Sequence, residues 1–211
     1  MKLYTYFRSS AAFRVRIALN LKGIGYEPVF VHLAKGQHRE SKYAEVNPQA
    51  LLPTLELDDG TRLTQSLAII EWLDEKHPTP PLIPKDGLAR ARVRSLSYLI
   101  ASEIHPLNNL RVLQHLKRLG QTQEQIDVWY RHWIADGLAK FEADLGRGGT
   151  GKFCHGDSPT MVDCCLVPQI FNAKRFNSDL TLYPTTMRVF EACMKLEAFD
   201  RAQPSKQPDA E

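Results

Sequence analysis

The chain has 211 residues and a formal net charge of +3, from 27 Lys and Arg against 24 Asp and Glu. Its 43% hydrophobic and 24% charged content is ordinary for a globular protein and excludes disorder as the general state. The small basic excess is spread along the chain and does not point to nucleic acid, and no apolar run approaches the ~18 residues of a membrane span. The opening residues, MKLYTYFRSS, lack the apolar stretch of a signal peptide. A soluble, cytoplasmic protein with no nucleic-acid or membrane partner is expected, long enough to bury a core without disulfide or metal staples.

Residues 2–6 read as a short strand. Residues 12–22 then carry Val15, Ala18, Leu19 and Leu21 at helical spacing, and Gly23 supplies a C-terminal cap. Residues 27–33 alternate as a strand does, and residues 41–46 can hold a short helix before Asn47-Pro48. Residues 54–57 and 62–64 flank Asp58-Asp59-Gly60, a hairpin signal, and Ser66 opens a helix that runs through Leu67, Ile70 and Leu73 to about Lys76. The order β-α-β-α-β-β-α predicts a mixed sheet covered by helices.

Four prolines between Pro78 and Pro84 cannot sustain a helix or a central strand, so the chain divides there. The predicted domains are residues 1–80, a linker at 81–87, and residues 88–211. The second half carries no strand pattern. Helices are expected at 89–102, 107–119, 123–145, 160–171 and 187–199, with a flexible break at 146–151 and an extended tail after Ala202. Trp72, Trp129 and Trp133 read as core or interface residues. Thr160 with Asp163 three residues on reads as a helix N-terminal box, not a catalytic pair. Cys154, Cys164, Cys165 and Cys193 form no CxxC pair and no zinc spacing, and are read as buried thiols; no metal site is expected.

Chemistry concentrates at Phe7-Arg8-Ser9-Ser10, between the first strand and the first helix. A helix N-terminus favours an anion, and a serine hydroxyl there could donate to a bound thiolate; the alternative is that Ser9 or Ser10 only caps the helix. Leu52-Pro53-Thr54 places a proline before a short strand. A cis bond there would expose the preceding backbone to a peptide ligand, although only about 5–6% of such bonds are cis. Ser66, after Gln65, is an N-cap candidate whose neighbouring N–H groups could hold a carboxylate. The sequence carries no GxGxxG, GxxxxGK[ST] or HExxH.

Tyr6-Phe7-Arg8-Ser9-Ser10 followed by Arg14-Val15-Arg16-Ile17-Ala18-Leu19 resembles the first-helix signature of zeta-class glutathione transferases. Asn47-Pro48, Leu52-Pro53-Thr54-Leu55 and the run from Gln65 to Glu71 match the same family in order. So do the run from Ile104 to Leu110, the segment from Asp163 to Gln169, and Arg175-Phe176. The resemblance implies a thioredoxin-like N-terminal domain, an all-helical C-terminal domain, a homodimer, and glutathione as a coenzyme that is not consumed. It also implies maleylacetoacetate or maleylpyruvate isomerisation in tyrosine or aromatic catabolism.

Carried over residue by residue, Ser9 with Ser10 beside it falls at the thiol-activating position. Leu52, before a family cis-proline at Pro53, falls where the backbone meets the cysteinyl unit, and Gln65 and Ser66 fall where the γ-glutamyl end is held. His38, His105, Asn109 and Arg111 fall where members line the glutathione site. Ala11 replaces a frequent family cysteine, so serine-centred activation remains and any role of that thiol does not. His105 replaces a glutamine of some members. A dicarboxylate that develops enolate charge calls for cationic groups, and Arg8, His105 and Arg175 are the expected clamp. Two alternatives stand beside this reading: a transferase that conjugates or dehalogenates α-haloacids, and a non-catalytic module that binds a protein partner.

Overall fold

In the computed structural model, which describes residues 1–211, four short strands form one mixed sheet. They are β1 (Lys2–Thr5), β2 (Glu27–Phe30), β3 (Thr54–Glu56) and β4 (Arg62–Thr64), in the order β2-β1-β3-β4. β1 runs parallel to β2, with Leu3 opposite Pro28, and antiparallel to β3, with Leu3 opposite Leu55. β3 and β4 form the expected hairpin, closed by Gly60 at φ 84° and by Asp59, whose carboxylate accepts from Thr61 N at 2.8 Å. Period-2 alternation sinks Leu3 and Thr5 while Lys2 stays exposed. β2 ends at Phe30, short of residue 33. His32 N there turns away to donate to Gln37 Oε1 at 2.7 Å, and His32 Nδ1 accepts from Lys35 N at 3.1 Å.

Helix α1 (Ser10–Leu21) follows β1, the short α2 (Ser41–Ala44) follows an unpredicted 3-10 turn at Gln37–Arg39, and α3 (Ser66–Lys76) follows the hairpin. Beneath α2 a cluster of Tyr6, Phe7, Val31, Tyr43 and Leu52 is buried. The proline-rich stretch is pinned rather than loose. Lys22 Nζ reaches Asp74 at 2.8 Å and the carbonyls of His77 and Pro80, while Asp74 accepts from Leu82 N at 2.7 Å.

The chain forms two compact units, residues 1–83 with 194–211, and residues 84–193. The expected division was residues 1–80, a linker at 81–87 and residues 88–211; by contacts, residues 194–211 group with the first unit. The last residues join the first unit because α1 captures them: Asn20 donates to Ala198 O at 2.9 Å and Arg16 to Ala202 O at 3.0 and 3.2 Å. Nor is the tail extended. After α9 (Glu197–Asp200) it makes a 3-10 turn at Pro204–Lys206, secured by Gln207 Nε2 on the carbonyls of Arg201 and Gln203.

The second unit is all-helical: α4 (Gly87–Tyr98), α5 (Leu110–Arg118), α6 (Gln123–Leu145), α7 (Met161–Arg175) and α8 (Pro184–Met194). The helix expected at 89–102 instead widens into a π turn at Leu99–Ile104 and tightens to a 3-10 turn at His105–Asn108. Pro106 accounts for the break, since it has no N–H to give and its ring crowds the carbonyl four residues back. α6 comes close at this point: a Cβ on Gly137 would stand 2.2 Å from Ile104 Cγ1, so only glycine fits. The helix expected at 187–199 ends at Met194, before α9 begins at Glu197.

The Thr160–Asp163 box is present and wholly buried. Asp163 accepts from Thr160 N at 2.7 Å, Thr160 Oγ1 at 2.9 Å and Cys154 N at 2.9 Å. None of the four cysteines is in a disulfide, and all are buried. Asp163→Ala would take the acceptor from the N–H groups of Cys154 and Thr160, the Thr160 hydroxyl and the more weakly bound Cys193 thiol, so it should cost about 3–5 kcal/mol of unfolding free energy. Urea denaturation at pH 7 measures this, and a loss under about 1 kcal/mol would contradict the capping account.

Candidate active site

Ser9 sits at the N-cap of α1 with extended backbone (φ −70°, ψ 110°), and its Oγ accepts from Ala12 N at 3.2 Å. Ser10 is the first helical residue, and both serines are buried. Accepting one bond uses a lone pair and leaves the Ser9 O–H proton to donate elsewhere. The capping role and the thiol-binding role are therefore compatible in one side chain. The N–H groups of the first turn add partial positive charge at the same place. Ala11 follows, so no thiol stands beside the serines.

Arg8, just before Ser9, is exposed, with its guanidinium carbon 4.7 Å from the Phe7 ring centre. One turn into α1, Arg14 Nη1 donates to Ser66 Oγ at 3.2 Å. That bond joins the start of α3 to α1 and sets the direction of the Ser66 hydroxyl. Ser66 is the first residue of α3 rather than its cap. The cap is Gln65, which takes φ 69° and ψ 114° and makes no side-chain capping bond. A side chain at positive φ is strained, and here it projects Gln65 outward, where Nε2 donates to Gln49 Oε1 at 2.8 Å.

The Leu52–Pro53 peptide is cis. Leu52 lies outside the ladder, since β3 starts at Thr54. The approach to it is fixed by Leu51 O, which accepts from Tyr43 Oη at 2.7 Å and Asn47 Nδ2 at 2.8 Å. His38, on the 3-10 turn, is buried, and its Nδ1 has no hydrogen-bond partner. Burial, with Arg39 adding to it, lowers its pKa, so the ring is neutral at pH 7 and able to accept or donate to a ligand.

The remaining predicted residues belong to the helical unit. His105 opens the 3-10 turn after the π turn. Asn109 caps α5, accepting from Arg111 N at 3.1 Å, and Arg111 is exposed. Arg175, the last residue of α7, is exposed with its guanidinium carbon 5.4 Å from the Phe176 ring, and that ring stacks on Tyr130 at 3.6 Å. No His, Cys, Asp or Glu cluster could hold a metal.

A thioredoxin-like mixed sheet with a serine-capped first helix, joined to an all-helical unit, is the architecture of glutathione transferases. Residues 3–81 match the family model "Glutathione S-transferase, N-terminal domain". Over their full lengths the chain is 46% identical to the maleylpyruvate isomerase of a Ralstonia species. A solved maleylpyruvate isomerase, described as a bacterial zeta-class glutathione transferase, covers both chains completely at TM-score 0.97 and 46% identity. A maleylacetoacetate isomerase from Methylobacterium extorquens, solved with malonate and glutathione, also covers both chains at TM-score 0.97 and 42% identity. The chain belongs to the zeta class of the glutathione transferases.

Reading the sequence did not single out Tyr43 or the individual work of Arg14 and Arg16. A charged residue on a helix reads as a solvated face, and only the spacing Arg14-Val15-Arg16 inside an otherwise apolar helix signals buried arginines. The strain at Gln65 gives a test that needs no ligand. Gln65→Gly and Gln65→Ala both remove the bond to Gln49, but only glycine accepts the backbone. The glycine variant should be about 1 kcal/mol more stable than the alanine variant in urea. Equal stabilities would refute the strain.

Proposed function

We propose that the protein is a glutathione-dependent cis–trans isomerase of a maleyl dicarboxylate, maleylacetoacetate or maleylpyruvate, in aromatic catabolism. The observation that carries this reading is the Ser9 hydroxyl, which caps α1 through one lone pair and keeps its proton for a thiolate. The site fits glutathione on its own terms. A buried His38 nitrogen awaits a partner, Leu52 lies outside the strand ladder, and Ser66 is aimed by Arg14 at the start of a helix. Glutathione, when bound, supplies a thiolate that adds reversibly to the conjugated alkene, leaving a single bond free to rotate before it departs unchanged.

The protein's own residues then have distinct tasks. Ser9, with Ser10 beside it, holds the sulfur in its charged form by donating a hydrogen bond where the helix N-terminus already favours negative charge. Leu52, next to Pro53, meets the cysteinyl unit through its backbone, Gln65 and Ser66 hold the γ-glutamyl carboxylate, and His38 contacts the tripeptide. We assign His105, Asn109 and Arg111 to glutathione as well, on the resemblance of their segment to the family pattern. Arg8, His105 and Arg175 answer the carboxylates and the enolate charge of the substrate. The relatives' names and the malonate bound beside glutathione in one of them support a small dicarboxylate. We assign the working form to a cytoplasmic homodimer, a compartment with which four buried cysteines outside any disulfide are consistent.

Turnover of maleylpyruvate and maleylacetoacetate with catalytic glutathione tests the reading: trans product should form with total glutathione unchanged. Consumption of glutathione by an α-haloacid without isomerisation would make the protein a transferase instead. Ser9→Ala should lower kcat by about a hundredfold or more while the fold stays intact, because it removes the donor to the nucleophile. Near-normal turnover would take Ser9 out of the mechanism. Arg175→Ala should mainly raise the dicarboxylate KM, by roughly tenfold, and an unchanged KM would refute its place in the clamp.

A further inference from the structure

The residues between β1 and Ser9 are held by partners that come from well outside the loop. Arg16 Nη1 donates to Thr5 Oγ1 at 3.0 Å and to Tyr6 O at 3.3 Å, and Nη2 donates to Phe7 O at 3.1 Å. The same guanidinium reaches Ala202 O through Nε and Nη2. The Phe7 N–H donates in turn to Asp209 Oδ2 at 3.0 Å, a carboxylate 202 residues away in sequence. Both polar backbone atoms of Phe7 are therefore occupied, one by Arg16 and one by Asp209. Two residues later comes Ser9, whose own N–H donates to Tyr6 O at 2.9 Å. The loop that carries Arg8 and Ser9 has little freedom left.

Asp209 is costly to keep where it is. Its Oδ1 is buried and has no hydrogen-bond partner, a loss of solvation opposed by the bond from Phe7 N and the attraction to Arg16. The segment that delivers it is organised in advance by the 3-10 turn and by Gln207 bonding back to Arg201 and Gln203. Beyond it, Glu211 Oε1 lies 3.0 Å from His32 Nε2 and 3.2 Å from Lys35 Nζ, and the His32 ring packs 4.8 Å from Tyr6.

We propose that Asp209 is a positioning residue for Ser9: residues 202–211 form a strap whose carboxylate, acting with Arg16, fixes the Phe7–Arg8 backbone and so aims the Ser9 hydroxyl. The inference rests on the isomerase reading of Ser9. A shift of the serine oxygen by about 1 Å can cost up to about a hundredfold in rate without altering the groups that hold the coenzyme.

The test compares Asp209→Ala, Asp209→Asn and Ser9→Ala in steady-state isomerisation of maleylpyruvate with glutathione, with melting temperatures alongside. Asparagine keeps a carbonyl oxygen able to accept from Phe7 N, whereas alanine does not. Asp209→Ala should lower kcat about tenfold with the KM for glutathione changed less than about twofold, and Asp209→Asn should recover most of the rate. An Asp209→Ala kcat within twofold of the native value overturns the strap, as does an asparagine variant impaired as badly as alanine. Ser9→Ala separates the two claims. If it is inactive while Asp209→Ala is normal, only the strap falls; if it is fully active, the reading of Ser9 falls and the strap falls with it.

Discussion

The fold of the first unit turns on a guanidinium sealed from water. Arg16 is 0% exposed, and its hydrogen bonds reach Thr5, Tyr6, Phe7 and Ala202. Burial lowers its pKa to about 10, opposed by Tyr26 and Asp209, so it remains charged at neutral pH. Desolvating such a charge is expensive, and only charge-assisted bonds to well-placed oxygens offset it. A lysine could not substitute, because the planar fork spans acceptors on two separate segments at once. One side chain on α1 thus sets the end of the first strand, the entry to its own helix and the place where the far end of the chain lands.

The second organising bond is smaller. Arg14, two residues earlier, ties the start of α3 to α1 through Ser66. The N-termini of these two helices are thereby held in a fixed relation within one unit. Ser9 shows the same economy at the scale of an atom, since a hydroxyl has more hydrogen-bonding capacity than capping uses. Capping therefore does not by itself use up the Ser9 hydroxyl, whose proton is not needed for the bond from Ala12 N.

Much of the architecture was legible in advance because its signals are local. The Asp-Asp-Gly hairpin, α6 across residues 123–145 and the Thr160–Asp163 box each depend on neighbours within a turn or two. What was hidden depends on distance. Nothing local marks Asp209 as a partner of Phe7, or tells that residues 194–211 pack on the opening unit. The π turn at Leu99–Ile104 was likewise invisible, being a compromise between Pro106 and the close approach of Gly137. Of the candidate site, the serine motif, Leu52-Pro53 and Gln65-Ser66 were readable as residues. The strain at Gln65 and the orphaned nitrogen of His38 needed three dimensions.

The four cysteines carry a consequence for a protein whose coenzyme is itself a thiol. None is exposed, and burial, aided by the nearby charge of Asp163, pushes the thiols of Cys154 and Cys193 up. Thiol–disulfide exchange proceeds through the thiolate and needs access to the sulfur. With access withheld at all four sulfurs, oxidised glutathione finds none on the folded chain to form a mixed disulfide with. The protein can sit in a fluctuating glutathione pool without being marked by it, and the sulfur chemistry near it stays with the coenzyme.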